Sequence, residues 1–208
     1  ICLAALVSGV LNGMSRFSAA AAAPILFNLV SMAALLGLDF EAASAVAAEA
    51  AQGEVCQAAN DNDPAQVVIS GHKAAVERAA EIAKARGAKR ALLLPVSAPF
   101  HCALMQPAAD AMAQALAGTT ISAPKVPVVA NVRAEAVSDP EVIRQLLVEQ
   151  VTGSVRWRES VEWMVAQGAT EFWEIGAGKA LSGMIKRIAK DTAQVNVGSP
   201  EDIAKLNG

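Results

Sequence analysis

The stretch MAALLGLDFEAASAVAAEAAQGEVCQAANDNDPAQVVISGHKAAVERAAEIAKARGAKRALLLPV (residues 32–96) decides the fold. It opens on an apolar run, 32–38, of strand length. Asp39 follows, and its carboxylate can accept from the free N–H groups of a first helical turn. That sets a helix over FEAASAVAAEAAQ, ended by Gly53. EVCQAAN (54–60) reads as a strand. NDNDP (60–64) reads as a turn, because Asn and Asp bond their own backbone and Pro fixes φ. AQVVISG (65–71) is the return strand. Over 72–86, Val76, Ala79, Ala80 and Ala83 share one helical face, with Lys73, Glu77, Arg78, Glu81 and Lys84 off it. That spacing predicts an amphipathic helix, which Gly87 stops. KRALLLPV (89–96) is a further strand.

The resulting order, β-α-β-β-α-β, is the split βαβ arrangement of a ferredoxin-like unit, its sheet covered on one face by two helices. Downstream, residues 102–117 read as a helix and KVPVVANV (125–132) as a strand. SDPEVIRQLLVEQV carries strong helix-start chemistry, with Ser138 and Asp139 as caps, Pro140 in the first turn and Glu141 three residues after Ser138. A helix over about 156–167, a strand TEFWEIG (170–176), a glycine turn into the helix GAGKALSGMIKRIAK and a last strand AQVNVG (193–198) complete the chain. This alternation argues for parallel α/β structure.

Composition excludes several classes. The 208 residues are 54% hydrophobic and 18% charged, which is ample apolar material for a buried core and no disordered tail. Seventeen basic against twenty acidic residues give a net charge of −3 with no dominant basic run, so nucleic acid is not an expected partner. Cys2, Cys56 and Cys102 are too few for a disulfide framework and read as free thiols of a reducing compartment. Neither they nor the two histidines have metal-ligand spacing, so no metal is expected.

His101, in VSAPFHCALM, is the leading candidate for chemistry. It follows a strand and a proline at the start of a helix, where α/β folds hold their sites. A neutral imidazole there can take a proton from a hydroxyl or thiol, although a structural histidine at a helix start has the same position. Cys102 is adjacent, but neighbouring helical side chains diverge by about 100°, so a small buried residue is the simpler reading. Cys56 reads as core. Asn60, Asp61 and Asn62 are explained by turn chemistry and could also offer polar groups to a substrate. GAGKAL (176–181) lacks phosphate-loop spacing, yet its backbone N–H groups could hold an anion. Six basic residues over 73–90 (Lys73, Arg78, Lys84, Arg86, Lys89, Arg90) form a solvated face or a patch that steers an acidic partner.

The chain starts differently. Residues 1–38 carry one charge, Arg16, and Ser18–Leu38 none. That length can span a bilayer, and a buried strand or helix explains it equally. SGVLNGMSRFSAAAAAPILFNLV resembles a membrane segment of the lipid II flippase family, which sets residues 1–31 apart as an apolar segment of uncertain origin and a potential anchor.

From Met32 to about Ile188 the chain resembles the malonyl-CoA:acyl carrier protein transacylase family. The resemblance rests on MAALLGLDFEA, NDNDPAQVVISGHKAAVERA, GAKRALLLPVSAPFHCALMQPAADAMA, KVPVVANV, LLVEQVTGSVRWRESVEWM and EIGAGKALSGMIKRI, in the family's order. It implies a ferredoxin-like subdomain (32–96) and the C-terminal part of an α/β-hydrolase-like acyltransferase subdomain (97–208). It also implies a cytoplasmic transferase of fatty acid biosynthesis with no cofactor. Its substrates are malonyl-CoA and the phosphopantetheine thiol of acyl carrier protein, joined through a malonyl-serine ester. His101 matches the family's base and Gln150 the residue whose carbonyl orients it. Asn60 and Asn62 match polar positions near the pocket. Phe100 is of the type associated with malonyl units, and Lys89 and Arg90 match positions that meet the carrier protein. The family's G-H-S-x-G elbow, which exposes the serine, is absent. Ser8 and Ser70 precede glycines but lie in no G-x-S-x-G, so no nucleophile is found. The oxyanion-hole glutamine and the carboxylate-binding arginine are absent too. The expectation is a truncated or chimeric form, inactive alone. The alternatives are a non-catalytic carrier-protein-binding remnant or a membrane-anchored fusion through residues 1–31.

Overall fold

The computed structural model describes residues 30–96 and 98–206. The apolar run expected as a strand is β1 (Val30–Leu36), followed by α1 (Phe40–Ala51), β2 (Cys56–Asp63), β3 (Gln66–His72), α2 (Lys73–Ala85) and β4 (Arg90–Leu93). Asp39 caps α1 as its position predicts, its carboxylate accepting from Ala42 N at 2.8 Å. The strands order β2-β3-β1-β4 with every pair antiparallel, the ferredoxin-like topology.

Alternation along the strands sends Ala33, Leu35, Val67 and Ile69 to one face, where they pack on Val46 of α1 and on Val76 and Ala79 of α2. Each large side chain buried there contributes about 1.5–3 kcal/mol, and the many alanines let both helices lie close on the sheet. The predicted stripe Val76, Ala79, Ala80, Ala83 is buried throughout. Gly71 is fixed by close approach, since a Cβ there would stand 2.0 Å from Val55 O. The opposite face carries Met32, Ala34, Ala59 and Val68, packed with Leu94.

Beyond β4 come a 3₁₀ turn (Ala103–Met105), α3 (Gln106–Ala117), β5 (Val128–Ala130), β6 (Glu135–Val137), α4 (Pro140–Thr152), α5 (Trp157–Ala166), β7 (Glu171–Ile175), α6 (Ala180–Ile188), β8 (Ala193–Val197) and α7 (Pro200–Leu206). Met112 and Leu116 of α3 pack on Ile143 and Leu147 of α4. Trp157 and Val161 of α5 pack on Ile185 of α6 and Phe172 of β7.

Several expectations change. Asn60–Asp63 belong to β2 rather than to a turn. The reversal is confined to Pro64–Ala65, where Asp63 Oδ1 accepts from Ala65 N at 3.0 Å. Local turn propensity loses to tertiary partners: Val155 N donates to Ala59 O and Asp61 N to Val155 O, both at 2.8 Å, which adds a parallel bridge beside Asn60. The strands expected over 89–96 and 125–132 shrink to Arg90–Leu93 and Val128–Ala130. Asp139, not Ser138, caps α4, accepting from Glu141 N and Val142 N. The parallel arrangement holds for β7 and β8, while β5 and β6 form an antiparallel hairpin. The anchor and flippase-like reading of residues 1–31, with Cys2 and Ser8, lies outside the described residues except at Val30 and Ser31, which open β1. Among the described residues no helix is long and apolar enough to cross a membrane.

Candidate functional site

His101 sits where the chain leaves β4 and turns toward α3. Its φ of 59° is left-handed, a conformation that side chains other than Gly seldom adopt. The imidazole Nδ1 lies 2.9 Å from the carbonyl oxygen of Gln150 in the last turn of α4. Carbonyls in a last helical turn have no partner within the helix, so this one is free to accept. A carbonyl only accepts, so the neutral ring carries its proton on Nδ1 and leaves Nε2 a bare lone pair. Burial pushes the His101 pKa below the ordinary 6.5, and the carbonyls of Gln150 and Gly153 pull part of that back. The ring is therefore a neutral base at neutral pH.

Gln150 is buried, and its own amide Nε2 donates to Gly153 O at 2.9 Å and Ser154 O at 3.4 Å. Ser154 Oγ in turn donates to Ala58 O of β2. A larger residue at Gly153 would force a shift, because a Cβ there would stand 2.7 Å from Val132 Cγ2 and 2.9 Å from Glu149 O. Two residues beyond His101, Gln57 Oε1 accepts from Ala103 N at 2.7 Å. Cys102 is fully buried and its thiol donates to Pro99 O at 3.2 Å. Burial pushes that thiol up, which makes it a packing residue rather than a nucleophile. Burial likewise raises the Cys56 thiol to about 11.

The structure thus brings His101 and Gln150 together, and Phe100, the residue before His101 in the chain, is half-exposed. Asn60 and Asn62 are both half-buried on β2, and Asn60 bridges to Val155 of the 153–155 segment that holds Gln150. Lys89 and Arg90 stand elsewhere, exposed at the start of edge strand β4. Of the six basic residues over 73–90, four pair with carboxylates: Lys73 with Glu77, Arg78 with Glu54, Lys84 with Glu81 and Arg86 with Glu49. Ser70 is buried on β3.

Sequence reasoning missed the polar residues that tie the parts together. Asp61, fully buried, meets Arg158 of α5, with Nη2 to Oδ2 at 2.8 Å and Nε within 3.2 Å of both oxygens. Burial raises the Asp61 carboxyl and the Arg158 guanidinium draws part of that back. Asp63 meets Arg187 of α6 at 2.8 Å. The glycine turn read at 176–178 leads into α6 as expected, with φ of 136° at Gly176 and 95° at Gly178. The N–H groups of Gly176, Leu181 and Ser182 are satisfied internally, Gly176 N donating to Val197 O at 2.9 Å. Glu174 accepts from Leu181 N at 3.1 Å and from Ser182 N at 2.8 Å. Partial burial works to raise the Glu174 carboxyl, and the donors on Ser182, Leu181 and Asn196 outweigh it, leaving it below the usual carboxylate range. The only signal for these contacts in the sequence is a set of charges inside apolar elements, without indication of their partners.

A family model described as an acyl transferase domain matches residues 13–202. That span is longer at both ends than the 32–188 read from motifs. The malonyl CoA-acyl carrier protein transacylase of Escherichia coli K12 is 49% identical over 174 residues, covering 84% of this chain and 56% of its own. The crystal structure of the acyl-carrier-protein-S-malonyltransferase from Bartonella henselae superposes with a TM-score of 0.86 at 50% identity, covering 91% of this chain and 60% of that one. A type II PKS acyl-carrier protein in complex with its malonyl-transacylase matches with a TM-score of 0.88 at 40% identity, covering 93% and 63%. The chain thus spans between half and two thirds of the length of these relatives.

Proposed function

Because the chain belongs to the acyl transferase domain family, we propose that it serves the transfer of a malonyl group from malonyl-CoA to the phosphopantetheine thiol of acyl carrier protein, with His101 as general base. The observation that carries this reading is the half-buried, left-handed His101, held by Nδ1 on the Gln150 carbonyl with Nε2 left to accept.

The chemistry follows from that lone pair. Nε2 takes the proton of a hydroxyl as its oxygen attacks the malonyl thioester carbonyl. The C–S bond breaks, the imidazolium returns the proton to the departing CoA sulfur, and a malonyl ester remains. The carrier thiol then gives its proton to the same nitrogen, attacks the ester, and the hydroxyl is restored. Both steps exchange one acyl bond for another, so no cofactor is assigned. The Gln150 carbonyl lies in the last turn of α4, whose negative pole favours the imidazolium as it forms.

The hydroxyl is not assigned within this chain, whose 208 residues contain no G-x-S-x-G. We assign it to an elbow-bearing acyl transferase segment, with this chain supplying the base. Phe100, the residue before His101 in the chain, would border the acyl group. Lys89 and Arg90, exposed and in no ion pair among the described residues, would meet the acidic carrier protein. The buried free thiols Cys56 and Cys102 fit a cytoplasmic location. Incubation of the chain with malonyl-CoA and the elbow-bearing segment of a relative, followed by intact mass, tests the reading. One malonyl group on the added segment, lost with His101→Ala, is expected. Equal labelling with His101→Ala would refute the assignment of the base.

A further inference from the structure

Two supports of His101, one on each side of it, return to strand β2. On the side of Gln150, the turn 153–155 is pinned to β2 by Ser154 Oγ on Ala58 O and by Val155 N on Ala59 O. On the side of the imidazole's own backbone, a side chain reaches across from β2: Gln57 Oε1 accepts from Ala103 N, 46 positions away, at 2.7 Å. His101 at φ 59° is in a conformation its backbone does not favour by itself, and it persists only if the flanking residues are held. Cys102 holds the upstream side through Pro99 O, and Gln57 holds the downstream side.

We propose that Gln57 is a positioning residue for His101: its side-chain carbonyl, donated to by Ala103 N, locks the left-handed backbone that keeps the imidazole Nδ1 on the Gln150 carbonyl. Gln57 does not touch the reacting atoms. It acts through backbone, and it needs only an acceptor at the end of a four-atom side chain. This inference rests on the reading of His101 as the base. Its test reads the histidine directly, so it can fail while that reading stands.

The experiment is ring ¹⁵N NMR of His101 in the full chain, comparing wild type with Gln57→Met and Gln57→Glu. Methionine keeps the length and removes the acceptor; glutamate restores an acceptor. Wild type is expected to show the Nδ1–H tautomer. Gln57→Met is expected to raise the Nε2–H population several-fold and to move the titration midpoint upward toward 6.5 as the ring gains water. Gln57→Glu is expected to restore the Nδ1–H tautomer. Because Gln57 is exposed, thermal unfolding of the two variants should match wild type. The proposal is overturned if Gln57→Met keeps the wild-type tautomer and midpoint, or if Gln57→Glu shows the same altered tautomer as Gln57→Met. If His101 behaves as proposed here but His101→Ala leaves malonyl transfer unchanged, it is the assignment of the base that fails.

Discussion

At the residue scale the account turns on one imidazole and its surroundings. A positioned base contributes about 10²–10⁴-fold to a proton transfer, so His101→Ala in the complemented transferase should lower the transfer rate by that factor. Steady-state assay reads it, and the prediction fails if the variant retains wild-type rate. The lowered pKa fixes a pH window. The folded chain binds fewer protons than the unfolded chain just below 6.5, so the stability contributed by neutral His101 is complete above that value. It declines as pH falls toward the lowered folded value. Denaturant titrations of wild type and His101→Phe across this window should show that slope in the former only. Gly153 is the second test. Its missing Cβ makes room for Val132 and Glu149 beside the Gln150 turn, so Gly153→Ala should cost about 1–3 kcal/mol and displace the His101 ring resonance. His101 itself was legible, because a histidine after a strand and a proline is a recognisable position. Gln57 was not, since an exposed glutamine in a strand carries no sign of a partner 46 residues away.

At the element scale β2 is the joint. Asp61 and Asp63 point its end at Arg158 and Arg187, and its backbone takes the 153–155 segment alongside. Asp61→Ala removes charge-assisted contacts to Arg158, which keeps its pair with Glu162, so it should destabilise by about 1–3 kcal/mol. Replacing Asp61 and Arg158 together by leucine and methionine should cost much less. A double-mutant cycle on unfolding free energy decides between this and an idle surface pair. The β-α-β-β-α-β order was readable because strand length, Asp39 capping and the Val76 stripe all agreed. The boundaries of β2 were not, because Asn and Asp favour turns until a distant arginine and a neighbouring backbone outbid that preference. The hairpin of β5 and β6 escaped for a different reason: three-residue strands are too short to show a period.

At the scale of the whole molecule, the bare face of the parallel pair β7–β8 is the informative feature. Trp173 and Ile175 are 49% and 78% exposed on it, while Phe172 on the other face is packed on α5 and α6. Parallel strands are ordinarily covered on both faces, and we assign this face to the elbow-bearing segment that the proposed reaction requires. Ile175→Asp should therefore weaken complementation without lowering the stability of the chain itself. Charge reversal at Lys89 and Arg90 should weaken carrier-protein binding at low salt and matter less as salt rises. The most direct test of the central claim is intact mass after incubation with malonyl-CoA, with and without the elbow-bearing segment of a relative. The account predicts no malonyl adduct on the 208-residue chain alone and a His101-dependent adduct on the added segment. A malonyl ester on the folded chain by itself would contradict it.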